Sequence, residues 1–77
     1  MSVFEQVRTV AADVLQVPQD KLTASTTPEQ IETWDSVQHL NLILALETQF
    51  GVEFEPEEIE QMKSIGHIVS LVEAKAG

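Results

Sequence analysis

Residues 36–51 of this chain, SVQHLNLILALETQFG, decide its fold. The apolar residues of this stretch recur at the spacing of a helix and do not alternate as they would in a strand. The stretch ends at Gly51, and glycine is well suited to the left-handed backbone position that follows a helix. The sequence therefore predicts a helix over residues 36–50, and the rest of the chain is read outward from it.

The apolar side chains of this helix fall into two groups on different sides, given a turn of about 100° per residue. The first group consists of Leu42, Ile43, Leu46 and Phe50, and the second consists of Val37, Leu40 and Leu44. The first group suits the core of a small domain. We expect the second group to be partly exposed and to dock partner proteins. The alternative is that both groups are buried because the helix is central.

Three further helices are predicted around this one. The first covers residues 3–16, with Ser2 as a possible N-cap and Pro18 as its stop. Residues 17–35 then form one long ordered loop, and loops longer than about 15 residues are usually functional. Pro56 opens a short third helix, and Ser64 caps a fourth. The prediction is one all-α domain over residues 1–77, a bundle of three main helices plus one short helix.

Composition narrows the function classes. The chain has 77 residues and no cysteine, which excludes disulfides, thiolate metal sites and a cysteine nucleophile. It has little room for a deep catalytic site. A net charge of -9 repels nucleic acids and anionic membranes, so basic protein surfaces are the expected partners. We expect a cytoplasmic monomer without a metal site or a stable membrane association.

Ser36 is the residue best placed for covalent chemistry. As a nucleophile it would need a neighbouring base, and only His39 and His67 are available. His39 is expected to be packed or half-exposed, and His67 to have a surface or capping role. A hydrolase is therefore disfavoured.

Two other roles for Ser36 remain open. As a modification site, it would place a phosphodiester next to the unpaired amides at a helix N-terminus, which offsets some repulsion from Asp35. As a structural residue, it would simply cap the helix.

The chain resembles the acyl carrier proteins over nearly its whole length. The resemblance rests on the helix order, the long loop before Asp35-Ser36-Val37, the Leu46-Glu47 and Phe50-Gly51 pairs, and the acidic stretch before the third helix. It implies a carrier, not an enzyme, with a 4′-phosphopantetheine arm on Ser36 whose terminal thiol holds acyl groups as thioesters. The missing cysteine is then explained, since the reactive sulfur comes from the prosthetic group.

The resemblance also implies partners and roles for the residues around Ser36. The partners are a phosphopantetheinyl transferase and acyl-loading or acyl-transferring enzymes with basic docking patches, from fatty-acid, polyketide or lipid and polysaccharide-modifying pathways. Asp35 would help the transferase and its magnesium engage the serine. Val37, Leu40 and Leu44 would enter apolar pockets of partner enzymes. The acids that would meet basic rims, or else form only a solvated face, are Glu47, Glu53, Glu55, Glu57, Glu58 and Glu60.

The chain departs from the usual fatty-acid carrier pattern after the serine. Gln38, His39 and Asn41 stand where that pattern commonly has acids, and Trp34 stands where it has small or aliphatic residues. Trp34 either packs the loop or joins a docking surface. The departures favour a specialised carrier. Two alternatives remain, a carrier of aminoacyl or aryl groups and an unmodified acidic helical adaptor in which Ser36 is only a cap.

Overall fold

Helices make up most of the computed structural model, which describes residues 2–76. Helix α1 covers Val3–Leu15, α2 covers Ser36–Phe50, α3 covers Pro56–Glu60 and α4 covers Ile65–Ala76. Two short 3₁₀ turns, Gln19–Lys21 and Pro28–Gln30, lie between α1 and α2. No residue between 2 and 76 is in a strand. The predicted all-α bundle of three main helices and one short helix is confirmed.

The helix ends follow local chemistry. The Ser2 hydroxyl accepts the amide N–H of Glu5 at 3.1 Å, so Ser2 is the N-cap of α1 as predicted. Helix α1 ends at Leu15, one residue earlier than predicted, because Gln16 adopts a left-handed conformation with φ 58°. Gly51 has φ 65° after α2, which confirms its predicted role. The Ser64 hydroxyl accepts the amide N–H of His67 at 3.1 Å and caps α4.

The core lies where α1 packs against both α2 and α4. Its fully buried helical side chains are Val7, Ala11 and Leu15 from α1, Leu42 and Leu46 from α2, and Ile65, Ile68 and Val72 from α4. Leu22, Ile31 and Trp34 from the segment between α1 and α2 are also buried, as are Phe54 and Met62 on either side of α3. The connecting segments therefore contribute to the core as the helices do.

The segment between α1 and α2 is ordered because hydrogen bonds anchor its end and its middle. The Thr33 hydroxyl donates to the carbonyl of Leu15 at 2.6 Å, which ties the end of the segment to α1. The first amides of α4 donate to its middle, from Ile65 to the Thr26 carbonyl at 3.0 Å and from Gly66 to the Ala24 carbonyl at 2.8 Å. The predicted ordered loop is thus confirmed, and the two 3₁₀ turns are an addition to it.

Gly66 permits the close contact between α4 and this segment. A Cβ atom at position 66 would lie 2.9 Å from the Ala24 carbonyl oxygen and 3.3 Å from its Cβ. We expect Gly66→Ala to lower the free energy of unfolding by about 1–3 kcal/mol through overpacking, although alanine favours helix by up to about 1 kcal/mol. Urea denaturation measures the change. Ser70→Ala, an exposed substitution one turn later, is the matched control, and a Gly66→Ala protein as stable as wild type contradicts the expectation.

Candidate functional site

Ser36 is the first residue of α2, and its hydroxyl does not cap the helix. The cap of α2 is Asp35, whose Oδ1 accepts the amide N–H of Gln38 at 2.8 Å and whose carbonyl accepts that of His39 at 2.8 Å. Ser36 is exposed, and its side chain makes no hydrogen bond to any residue between 2 and 76. The alternative that Ser36 caps the helix is therefore wrong. A helix begins at Ser36 because the residue before it supplies the cap.

The cap at Asp35 can be tested apart from the serine. We expect Asp35→Ala to lower the free energy of unfolding by about 0.5–2 kcal/mol, because the amide of Gln38 loses its acceptor. Asparagine caps about as well as aspartate, so Asp35→Asn should stay close to wild type. Chemical denaturation of the two variants checks this. Equal losses for both would show that the charge of Asp35, and not its capping bond, stabilises the helix.

Among residues 2–76, no histidine hydrogen-bonds to Ser36. The indole N–H of Trp34 donates to Nδ1 of His39 at 3.0 Å, and Nε2 of His39 lies 3.2 Å from the carbonyl oxygen of Ile59. Both ring nitrogens of His39 are thus engaged, and the ring is half-buried as predicted. His67 is exposed on α4, and its backbone amide donates to Ser64. The arrangement lacks the serine–histidine pair that a hydrolase needs.

Trp34 lies inside the fold. Its side chain is 4% exposed, and its ring stacks on that of His39 with the centroids 6.0 Å apart. A side chain this deeply buried has little surface that a partner protein could contact. The loop-packing interpretation agrees with this position, and a direct docking contact by Trp34 does not.

The two apolar groups of α2 are separated as predicted. Leu42 and Leu46 are fully buried, whereas Val37, Leu40 and Leu44 are 66%, 55% and 61% exposed. The alternative that both groups are buried is wrong. We call Val37, Leu40 and Leu44 the exposed strip. It begins one residue after Ser36 and runs along the same helix.

The acids near this surface differ in how far they are engaged within the fold. Oε2 of Glu47 accepts the amide N–H of Phe54 at 2.8 Å, so this carboxylate holds the segment after α2. Glu58 accepts the amide of Glu55 and pairs with Lys75 at 2.8 Å, and these two contacts hold the pKa of Glu58 below its usual value. Glu53, Glu57 and Glu60 are exposed. The described residues include no cluster of acids and histidines that could hold a metal ion.

An open groove of about 560 Å³ lies beside Ser36. Ser36, Asp35 and Leu40 line it together with Trp34, His39, Ile59 and Met62, so it lies between α2 and the α3 region. The sequence did not predict that Pro28, Ile59 and Met62 also line this groove. A backbone carbonyl such as that of Ile59 cannot be recognised from a pattern of side chains. A second groove of about 640 Å³ runs between α1 and α2, past Asp13 and Gln49, and does not include Ser36.

These features fit a phosphate-linked arm. The first amides of a helix have no partner within it, and the helix dipole favours an anion there. The hydroxyl of Ser36 is exposed at this end of α2, and the groove beside it combines apolar and polar side chains.

None of the helices within residues 2–76 is long and apolar enough to cross a membrane.

Comparisons with known proteins show which family the chain resembles. A family model described as "Phosphopantetheine attachment site" matches residues 5–72. An acyl carrier protein from Petrotoga mobilis is 33% identical over 72 residues, covering 94% of this chain and 85% of that protein. An acyl carrier protein from Akkermansia muciniphila is 33% identical over 76 residues, covering 99% and 95%. The solution structure of a holo acyl carrier protein from Geobacter metallireducens superposes with a TM-score of 0.87 at 29% identity, covering 97% of this chain and 86% of that one.

Proposed function

Since the chain belongs to the acyl carrier proteins of the phosphopantetheine-attachment family, we propose that Ser36 is the residue that carries the arm. One observation carries the proposal. Ser36 is exposed at the start of α2 with a hydroxyl that no residue between 2 and 76 engages, while Asp35 performs the capping that a serine at this place could have performed.

The chain is an acyl carrier and not a catalyst, and its cofactor is 4′-phosphopantetheine. When bound, this arm supplies a terminal thiol that holds acyl groups as thioesters. The chain has no cysteine of its own, so the arm is its source of a thiol. Residues 1–77 act in this proposal as one carrier domain.

The residues around Ser36 have defined parts in the proposal. Unpaired amides at the start of α2 stabilise the phosphodiester, and the exposed carboxylate of Asp35 helps the transferase and its magnesium engage the serine. Asp35 also holds the helix end in place through its bond to Gln38. The serine is thus presented from a capped helix end.

Partner docking is assigned to the exposed strip. Three large apolar side chains, each more than half exposed, follow Ser36 on one helix and can enter apolar pockets of partner enzymes. Glu53, Glu57 and Glu60 are exposed and can meet basic rims, where charge mainly raises the rate of encounter. Glu47 is engaged with Phe54, so its docking role is shared with a structural one. The protein acts as a cytoplasmic monomer in this proposal.

The pathway is proposed from the departures on α2. Gln38, His39 and Asn41 remove the usual acids from the turn after Ser36, which favours dedicated partner enzymes over those of housekeeping fatty-acid synthesis. Polyketide assembly and lipid or polysaccharide modification are the proposed settings. A carrier of aminoacyl or aryl groups is the second candidate because it uses the same attachment chemistry.

Intact mass tests the attachment. The purified chain is incubated with a phosphopantetheinyl transferase, magnesium and coenzyme A, and fragmentation then locates the added mass. We expect one phosphopantetheine per chain, on Ser36. No added mass, or mass on another serine, would overturn the proposal. Loading of the holo protein by an acyl ligase or by an amino-acid-adenylating ligase then separates the two cargo classes.

A further inference from the structure

Three groups from different parts of the chain are joined by hydrogen bonds across the groove beside Ser36. They are the indole of Trp34 from the segment before α2, the ring of His39 on α2 and the backbone carbonyl of Ile59 on α3. We call this set the latch. The carrier function uses none of these bonds, and residues 39 and 59 are far apart in the sequence.

The tautomer of His39 follows from its neighbours. An indole N–H can only donate, so Nδ1 of His39 accepts and carries no proton. The ring proton of the neutral imidazole is then on Nε2, where it donates to the Ile59 carbonyl. Trp34 is therefore a positioning residue, since it acts on α3 through the proton of His39.

The latch is one of few links that hold α3. This helix has five residues, too few to be stable without tertiary contacts. Its capping box, between Glu55 and Glu58, is local. Among the described residues, two polar contacts join α3 to other helices, the His39–Ile59 bond to α2 and the Glu58–Lys75 pair to α4. The side chain of Ile59 also packs against the core. The His39–Ile59 bond is thus the polar contact that fixes α3 against α2.

The latch also forms the inner wall of the groove. Ser36 lies at the rim, whereas Trp34 and Met62 are 4% and 3% exposed and His39 is half-buried. A chain that starts at Ser36 can lie along the groove, but it can pass between α2 and α3 only if the His39–Ile59 bond breaks and α3 moves.

We propose that the latch of Trp34, His39 and Ile59 keeps α3 closed against α2 and so determines which acyl groups this carrier holds. With the latch closed, the cargo stays in the surface groove, in contact with water and within reach of partner enzymes. This arrangement suits short or polar acyl groups. A long apolar chain gains no burial in the core until the latch opens.

The unloaded protein tests the latch itself. Nitrogen and carbon NMR shifts of His39 should report a proton on Nε2, and Trp34→Phe should remove that tautomer preference while keeping an aromatic ring. Because one hydrogen bond corresponds to a factor of about two to ten in an opening equilibrium, amides of residues 58–62 should exchange about two- to tenfold faster in His39→Ala. His39→Gln, which retains an N–H donor, should exchange more slowly than His39→Ala. A proton on Nδ1, or wild-type exchange rates in both His39→Ala and Trp34→Phe, would overturn the proposal.

The loaded protein tests the effect on cargo and rests on attachment at Ser36. Wild type and His39→Ala are loaded by the transferase from acetyl- and octanoyl-coenzyme A, and their thermal midpoints are compared. The two wild-type forms should melt within about 1 °C of each other, whereas in His39→Ala the octanoyl form should melt several degrees above the acetyl form. An equal octanoyl gain in both proteins would overturn the proposal.

The controls separate the possible failures. Circular dichroism establishes that each variant is folded, and if His39→Ala is not, Trp34→Phe takes its place in both arms. Absence of loading contradicts attachment at Ser36 and leaves the exchange and tautomer results to decide the latch.

Discussion

We expect Ser36→Ala to abolish the phosphopantetheine mass gain while leaving the free energy of unfolding within about 0.5 kcal/mol of wild type. The loss of loading should be complete because the proposal makes the Ser36 hydroxyl the group that is modified. Stability is retained because the cap of α2 is the Asp35 carboxylate, which accepts the Gln38 amide, and the serine side chain is exposed. Intact mass after incubation with transferase and coenzyme A, together with urea denaturation, measures both quantities.

The control for this result is Ser70→Ala, which removes an exposed serine on α4 and should load as wild type does. A Ser36→Ala protein that still gains the arm would refute attachment at Ser36. A loss of about 1 kcal/mol or more in stability would instead show that Ser36 shares the capping with Asp35.

The second prediction with a large expected effect compares the stability contributions of the buried and exposed faces of α2. Leu42→Ala should lower the free energy of unfolding by about 2–5 kcal/mol, because it removes a fully buried side chain and leaves a cavity. At about 0.05–0.15 kcal/mol per residue a domain of this size has only about 4–12 kcal/mol in total, so the variant should be partly unfolded at moderate temperature. Urea and thermal denaturation measure the loss.

Leu40→Ala is its matched control, since it makes the same chemical change two residues away on the exposed strip. We expect its stability to stay within about 0.5 kcal/mol of wild type, while the KM of the transferase for the carrier rises about fivefold or more. If Leu40→Ala destabilises the fold as Leu42→Ala does, the strip is structural. If it leaves the KM unchanged, the transferase does not dock on Leu40.

Much of the site was predictable because its signals are local. The helix over residues 36–50 followed from its apolar spacing, and Gly51 has the left-handed φ expected of it. The division between Leu42 and Leu40 also followed, since 3.6 residues per turn place them on different faces. The end of α1 was harder to predict. Its left-handed position falls on Gln16, whereas glycine or asparagine usually marks such a position.

The N-cap of α2 could not be assigned from the sequence alone. Asp35 and Ser36 are neighbours, and both residue types cap helices well. The choice depends on which residue leaves the helical backbone conformation, and this residue is Asp35, with φ -98° and ψ -175°. The residue types alone do not show which of the two is the cap.

The sequence by itself determined that this protein is an acidic, cysteine-free helical domain, because composition and apolar periodicity are properties of the chain alone, and its resemblance to the acyl carrier proteins implied a carrier. Only the tertiary structure decided that Trp34 is buried, that Glu47 binds the Phe54 amide and that His39 reaches the carbonyl of Ile59. The physical reason is that these contacts join different parts of the fold. Each depends on how close packing brings the helices and connecting segments together, and the pattern within any one segment does not contain that information.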